Sequence, residues 1–342
     1  FAKSSTQGRS GVVGRIGSQP AIEPARQCPD NRTEDHPSFM PAHPPRLLLS
    51  PYVLLALTAL FWAGNWVLGR GIREDVPPIA LSFWRWVVAF ALLWPLAWPH
   101  LRAQRGALVR HWRILAVLGF FGGACHNALT YVGMTMTTAT NGVILASATP
   151  IMIIALSRGI LGKRVRAFEW IGVAVSFGGV LAIVSGGRLT QLLALRANAG
   201  DLWVLLAMAF WAMYTVLLHW RPGGLHPYAF LTAIAIAGLV ALAPFYLWEI
   251  RADRLIVPGV RAYAAIAYAG VFPALLGFVF WNRAVAELGA NRAGAFMHLM
   301  PAFGILLALV FLDERPAYHH LAGIALILGG IYLTTRHPAA IR

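Results

Sequence analysis

Charged side chains are scarce in this sequence. Asp, Glu, Lys and Arg make up 12% of its 342 residues, whereas an average soluble domain carries about 25%. Hydrophobic residues make up 58%. Because a soluble chain needs far more charge than this to solvate its surface, the composition excludes an ordinary soluble domain and predicts an integral membrane protein.

Acidic residues are scarcer still, with 13 Asp and Glu against 28 Lys and Arg. Each acid falls in a polar tail, in a predicted loop or at the end of an apolar segment, so we expect no carboxylate near the bilayer centre. Proton coupling through a buried Asp or Glu is therefore disfavoured. The remaining candidates for that role are His126 and His298, because histidine titrates at about pH 6.5. The alternative is a facilitator or exchanger.

A formal net charge of +15 is also found in nucleic-acid-binding proteins. Those proteins gather Lys and Arg on one face, whereas the Arg residues of this chain stand singly between apolar runs. Charge bias between membrane loops explains them better. No nucleic-acid partner is expected.

Cysteine is nearly missing as well, and this excludes several kinds of site. Cys28 and Cys125 form neither a disulfide framework nor a metal-ligand spacing. We therefore expect no metal and no cofactor.

Other classes of membrane protein are also disfavoured. An intramembrane hydrolase would need a nucleophile with its base or paired carboxylates within the spans, and an ion channel would need repeated filter loops or charged rings. Neither pattern occurs. A receptor or assembly scaffold is compatible with the chemistry but would not need an internal duplication.

The chain begins with a polar segment. Residues 1–45 are rich in Ser, Pro, Gly, Arg and His without apolar periodicity, which predicts a disordered tail. No apolar core of a secretory signal follows the basic residues. Met40 lies directly before the first apolar segment. The tail is therefore either an ordinary disordered extension or a stretch upstream of the true start at Met40.

Ten apolar segments follow, each close to the roughly 20 residues that cross a hydrocarbon core of about 30 Å. Three prolines, Pro150, Pro273 and Pro301, fall inside these segments and predict kinks. Residues 336–342 form a short C-terminal tail. The predicted spans are 50–69, 78–97, 113–134, 140–160, 168–186, 202–219, 228–248, 262–282, 290–312 and 318–334.

The ten segments form two copies of one repeat, over residues 50–186 and 200–335. Small residues four apart, Ala174 and Gly178 in the first copy, predict close approach of neighbouring helices. The repeated positions are Phe61-Trp62-Ala63 with Phe210-Trp211-Ala212, Pro78 with Pro227, Tyr131 with Trp281, Pro150 with Pro301, and Gly172, Gly178 and Gly179 with Gly323, Gly329 and Gly330.

Five spans per repeat would place the two copies in opposite orientations. With both termini in the cytoplasm, the inner loops carry 11 Lys and Arg and the outer loops 8, in the sense that the positive-inside rule requires. The same loop then faces inward in copy one and outward in copy two. This explains why Lys163 is replaced by Glu314 in the second copy.

The residues of the first repeat resemble the EamA family of the drug/metabolite transporter superfamily. The resemblance rests on Trp62-Ala63-Gly64-Asn65, on Pro78 followed by the intramembrane Arg85, on Pro150, and on the glycines from Gly172 onward. Lys163 departs from the family, which usually has an acidic residue there. The resemblance implies an all-α multi-pass bundle of ten transmembrane helices in two inverted five-helix repeats, with a central cavity and alternating access.

A membrane transporter with inverted repeats is also what the residues alone indicate. The resemblance implies no enzyme activity, and it favours export of amino acids or related small metabolites. Export of drugs or cationic compounds and uptake of a metabolite stay open, and a non-transporting scaffold is less favoured. We expect a multi-pass protein of the cell membrane, with the lipid bilayer and a small molecule as partners. A second copy of the chain, in a homodimer, is a further candidate partner.

The candidate site residues are polar or aromatic groups at membrane depth, where an unpaired polar group costs several kcal/mol. Arg85 is predicted either to pair with a substrate carboxylate or to bond helix ends. His126 and Asn127 lie about 100° apart on a helix, so only one is expected to point straight into the cavity. The full set is Trp62, Asn65, Arg85, His126, Asn127, Asn141, Tyr214, Asn282 and His298, with Ser147 as a further cavity residue.

Two aromatic residues are predicted to act as gates. Tyr131 and Trp281 are equivalent in the repeat, and inversion would place them toward opposite faces of the membrane. The alternative is that both belong to the aromatic belts of the membrane interfaces.

Overall fold

The computed structural model describes residues 50–193, 196, 198–311 and 317–336. Within these ranges the chain is helical and contains no strand. The predicted tail over 1–45 with Met40, the loop residue Glu314, and residues 337–342 lie outside the described residues.

Ten helical segments account for most of the described chain. Eight of them, α1 to α8, are long and apolar enough to cross a membrane. A ten-span count stays a prediction for α9, which is interrupted, and for α10. The segments are α1 Pro51–Gly71, α2 Pro78–Ala103, α3 Trp112–Met136, α4 Ala139–Ser147 with Thr149–Leu161, α5 Ala167–Val184, α6 Ala199–Trp220, α7 Pro227–Arg251, α8 Val260–Leu288, α9 Ala290–Ala295, Phe296–His298 and Leu299–Phe311, and α10 Tyr318–Thr335.

Both repeats contain a wide turn of π-helix at the same place. It spans Gly119–Cys125 in α3 and Gly270–Leu276 in α8, and the second of these includes Pro273. A π-turn leaves carbonyl groups without their usual α-helical partner. Side chains bond them here: the indole Nε1 of Trp62 donates to the Pro273 carbonyl at 3.2 Å.

Both repeats also interrupt the helix near the repeated proline. The first part of α4 ends at Ser147 and the second starts at Thr149. Because Pro150 has no N–H, the Ala146 carbonyl loses its donor, and the Thr149 hydroxyl donates to that carbonyl at 2.6 Å. In α9 the chain takes a tight 3₁₀ turn over Phe296–His298, directly before the segment that contains Pro301.

The two repeats are interleaved. Helix α1 packs on α8 and α9 of the other repeat, and α6 packs on α3 and α4 in the same way. Helices α2 and α7 pack on each other, as do α5 and α10. Each of these contacts either has an equivalent in the other repeat or joins two equivalent helices. This is the pattern of a pseudo-two-fold axis between the repeats.

The contact between α5 and α10 depends on paired glycines. A Cβ atom on Gly179 would lie 2.6 Å from the Gly323 carbonyl oxygen, and one on Gly172 would lie 2.6 Å from the Gly330 carbonyl oxygen. No real side chain fits at such distances. The two backbones touch at these points.

The predicted role of Ala174 and Gly178 in helix packing is wrong. A Cβ on Gly178 would meet nothing within 4 Å, and Ala174 is exposed. The physical reason is the helical period: Gly172, Ser176 and Gly179 share one face, and that face meets α10, while Ala174 and Gly178 lie on the other side.

Buried Glu249, near the end of α7, is explained by the fold. Its carboxylate accepts the backbone N–H groups of Ile79 and Ala80 at 3.2 and 2.6 Å. These are free donors at the start of α2, where the helix dipole also favours negative charge. The opposite ends of the same two helices meet through His100 and His226, whose stacked rings lie 3.5 Å apart.

The glycine pairing makes a matched pair of predictions for neighbouring positions. Gly179→Ala should cost about 1–3 kcal/mol of stability through overpacking, because the new methyl meets the Gly323 carbonyl. Gly178→Ala adds the same methyl in open space and should keep or raise the thermal unfolding temperature of the detergent-purified protein. Equal shifts for the two variants would contradict the described α5–α10 contact.

Candidate functional site

A cavity of about 580 Å³ opens between the two repeats. It reaches the face at which α1, α3 and α5 end, at Gly71, Met136 and Val184, and we call this the open face. Arg70, Thr137 and Thr138 lie among its lining residues at this rim. Deeper, the wall is mostly apolar and includes Trp66, Val143, Ile183, Met297, Met300 and Pro301.

The cavity narrows to a floor of about 20 Å³ near the middle of the bundle. Trp66, Ala146, Met297 and Met300 line both parts, so the two adjoin each other. That volume holds about one water-sized group, so a larger ligand at the floor must extend into the neighbouring cavity. The floor residues that the upper cavity lacks include Trp62, Asn65, His126, Asn127, Thr130 and Trp211.

His126 and Asn127 both line the floor. His126 bonds the Ala207 carbonyl through Nδ1 at 3.0 Å. Since a carbonyl only accepts, Nδ1 carries the hydrogen and Nε2 is the ring nitrogen without one in the neutral state.

Arg85 does not line the cavity. It is 1% exposed, and its Nη1 donates to Asn127 Oδ1 at 2.6 Å and to the Tyr131 hydroxyl at 3.0 Å. That hydroxyl donates to Asn65 Oδ1 at 2.7 Å. Among the described residues no carboxylate lies within salt-bridge distance of Arg85, and its Nε has no partner. Arg85 thus acts on the floor through two amide side chains rather than as a direct counter-ion.

Two other predicted site residues hold helices together. Asn141 donates to the Asp201 carboxylate at 2.9 Å and joins α4 to the start of α6 at the open face. His298 is fully buried, and its Nε2 lies 2.8 Å from the Ser147 carbonyl oxygen. Its Nδ1 lies 2.6 Å from Ser176 Oγ. Of these residues only Ser147 lines the cavity.

Below the floor, aromatic rings fill the bundle. The ring centroids of Trp62 and Trp211 lie 4.8 Å apart, and Trp281 lies 5.1 and 5.4 Å from them. Phe278 and Tyr214 pack against Trp211. We call these five residues the aromatic plug, and Trp62, Trp211 and Phe278 among them also line the floor. The face opposite to the open face is called the closed face.

Two hydrogen bonds show which residues occupy equivalent positions in the two halves, and this correspondence differs from the one predicted from the repeat. Tyr214 donates to Asn282 Oδ1 at 2.6 Å, just as Tyr131 donates to Asn65 Oδ1. Asn65 and Tyr214 are repeat equivalents, so the two residue types are exchanged between the halves. By these contacts Asn282, rather than Trp281, occupies the position of Tyr131.

A second cavity of about 260 Å³ lies at the closed face. Thr215, Val216 and His219 line it and are the repeat equivalents of Trp66, Val67 and Arg70, which line the open cavity. Lys163 and Arg221 add positive charge to it. The molecule therefore has two related vestibules, and of these two the one at the open face shares lining residues with the floor.

Several lining residues were not predicted from the sequence. The repeat itself identifies Trp211, because it is the equivalent of Trp62. Met297 and Met300 flank His298 before Pro301, but apolar residues in a membrane segment give no signal of their own. In the described part of the chain no three His, Cys, Asp or Glu side chains are grouped as metal ligands.

Comparison with known proteins agrees with this architecture. The chain is 29% identical over 286 residues to an uncharacterized transporter of Archaeoglobus fulgidus, covering 83% of this chain and 96% of that one. It is 26% identical to the uncharacterized transporter YetK of Bacillus subtilis, covering 84% and 87%. It is 28% identical to a probable terminal-alkyne amino-acid exporter of Streptantibioticus cattleyicolor, covering 84% and 94%.

One solved crystal structure has the same fold, with a TM-score of 0.64 at 19% identity, covering 83% of this chain and 96% of that one. Residues 49–185 and 198–336 each match the model of the EamA-like transporter family. These two segments correspond to the two repeats and make up most of the sequence. The protein is a multi-pass membrane protein and belongs to the EamA-like transporter family.

Proposed function

We propose that this transporter exports amino acids or related small metabolites by alternating access. The observation that carries the proposal is the pair of repeat-related vestibules, of which one shares four lining residues with the floor and the other shares none. In inverted-repeat transporters the two halves exchange conformations around a fixed central site. Exchange here would open the closed-face vestibule to the floor and seal the other.

The lining supports a small substrate with both polar and apolar parts. Amide and imidazole groups meet at the floor, whereas the wider cavity above it is mostly apolar. An amino acid has this division between its head group and its side chain. A relative with 28% identity is named as a probable amino-acid exporter, which favours the same substrate class for this chain.

A cationic drug is the second candidate, since aromatic rings attract cations. Trp62 and Trp211 supply such rings at the floor. Arg85 lies directly behind the floor amides without a described counter-charge, and its field opposes a bound cation. The cationic substrate is therefore disfavoured.

The loop charges favour cytoplasmic termini, and in that orientation the open face is the outer face. The protein in this conformation would then face outward in the cell membrane. Net direction follows the gradients across that membrane.

The proposal predicts solute flux in vesicles that contain the purified protein. Labelled amino acids should exchange across the membrane at least about tenfold faster than in empty vesicles, whereas cationic drugs should not. Ala146→Trp should abolish the flux, because Ala146 lines both parts of the cavity and a tryptophan would fill the passage. Ala325→Trp, at an exposed position of α10, is the matched control and should retain flux. Movement of drugs but not of amino acids would overturn the assigned substrate class.

The difference between the two vestibules predicts that an aqueous reagent reaches one of two equivalent positions and not the other. Val67 is 65% exposed in the open vestibule, whereas Val216 is buried beside the closed one. In a background with Cys28 and Cys125 replaced by serine, Val67→Cys should react with a membrane-impermeant maleimide added outside intact cells. Val216→Cys should stay unlabelled from that side. Rapid labelling of Val216→Cys and none of Val67→Cys would contradict the proposed orientation.

A further inference from the structure

The polarity of the cavity floor originates at Arg85. A guanidinium group only donates hydrogen bonds, so the Tyr131 hydroxyl accepts from Arg85 and must direct its own hydrogen to Asn65 Oδ1. Arg85 also donates to Asn127 Oδ1. Both amide oxygens are thereby occupied on the side away from the cavity.

The floor is left with amide N–H groups. Asn127 Nδ2 uses one hydrogen on the Gly122 carbonyl at 3.2 Å and keeps the other. Asn65 Nδ2 has no described partner within hydrogen-bonding distance, although Asn65 lines the floor. Two donor groups in front of a buried positive charge favour an acceptor with negative charge, such as a carboxylate.

His126 supplies the opposite property at the same floor. Because Nδ1–H is held by the Ala207 carbonyl, neutral His126 offers the Nε2 lone pair, which has no partner among the described residues. Among the described floor side chains it is the one strong nitrogen acceptor left without a partner, and a substrate ammonium is a suitable donor for it. Protonated His126 has no lone pair at Nε2 and repels a cation.

The charged and titratable groups around His126 are few. They are Arg85 from α2, Cys125 and Tyr131 on α3 itself, and Tyr214 from α6. The described floor residues from α1, α4, α8 and α9, which are Trp62, Asn65, Trp66, Ala146, Phe278, Met297 and Met300, include no titratable group. No described carboxylate lines the floor that would itself hold an ammonium or a proton.

Resting on the proposed function, we propose that the floor binds the head group of a zwitterionic α-amino acid, and that a proton competes with its ammonium group at His126 Nε2. The carboxylate accepts from Asn65 and Asn127, the ammonium donates to His126, and the apolar side chain extends into the wider cavity. At a pH low enough to protonate His126, Nε2 takes one proton from water on the same side when the amino acid leaves. After the halves exchange, it returns that proton to water on the other side, so one proton moves against one amino acid.

The sign of the pH effect follows from this competition. Binding needs neutral His126, so affinity is full above the pKa of that residue and falls as the pH drops through it. Below that pKa the apparent Kd should rise toward about tenfold per pH unit for a single competing proton. The two charges of the substrate should each be required.

The test uses purified full-length protein with L-phenylalanine, and with phenethylamine and 3-phenylpropanoate, which lack the carboxylate and the ammonium respectively. L-phenylalanine should bind at least about tenfold more tightly than either analogue, and its Kd should rise at the acid end of a titration from about pH 8 to about pH 3, because burial disfavours protonation of His126. His126→Gln keeps an acceptor at the site, so it should bind with little pH dependence. His111→Gln, a surface change on the connection before α3, is the control and should keep the wild-type pH profile.

Asn65→Asp checks the carboxylate subsite independently of the histidine. It replaces donors by an acceptor, so it should weaken 3-phenylpropanoate binding and strengthen phenethylamine binding. A pH slope that persists in His126→Gln but disappears in His298→Gln would overturn the proposal, as would equal affinity for the three ligands. Amino-acid flux in vesicles with an unchanged pH slope in His126→Gln would reject the competition and leave the proposed function standing. Flux of other solutes alone would reject the function itself.

Discussion

The site depends on one buried positive charge. Arg85 lies within α2 at 1% exposure and has no described carboxylate within salt-bridge distance. A charged group in such surroundings is costly unless hydrogen bonds and dipoles compensate it. Asn127 and Tyr131 provide that compensation, and by doing so they become oriented. The hydrogen bonds that stabilise the guanidinium thus fix the orientation of the Asn65 and Asn127 side chains at the cavity floor.

The pseudo-two-fold axis turns this local arrangement into a difference between the two faces. Each half has a tyrosine–asparagine hydrogen bond between its first and third helices. In the first half the buried Arg85 bonds the side chains of this network, whereas its repeat equivalent is Ile234 and the half-buried Arg221 donates to the Asn282 backbone carbonyl at 3.4 Å. The two halves therefore differ in how deeply the positive charge beside the network is buried. Near-symmetric architecture permits two conformations, and the unequal chemistry makes them differ in how they hold a substrate.

Much of the architecture follows from the sequence, and specific parts of the site do not. The repeat, the prolines and the apolar segments locate the helices and their interruptions, because these depend on local chemistry. The spacing of small residues predicts that Gly178 packs against a neighbouring helix, and this prediction is wrong. Spacing alone does not identify which face of α5 meets α10. The equivalence of the Tyr131 and Asn282 positions is visible only in their hydrogen bonds to Asn65 and Tyr214. The repeat alignment is shifted by one position here and therefore does not show it. The direction of each amide likewise depends on contacts across the bundle.

The aromatic plug is held by packing rather than by hydrogen bonds. The indole nitrogens of Trp211 and Trp281 are buried without a partner, whereas that of Trp62 bonds the Pro273 carbonyl. An unpaired buried donor costs about 1–3 kcal/mol. Two of them offset part of the free energy gained by burying three large rings. Such a seal excludes solute, but little free energy is lost when it opens. A carrier that alternates between two faces requires both properties.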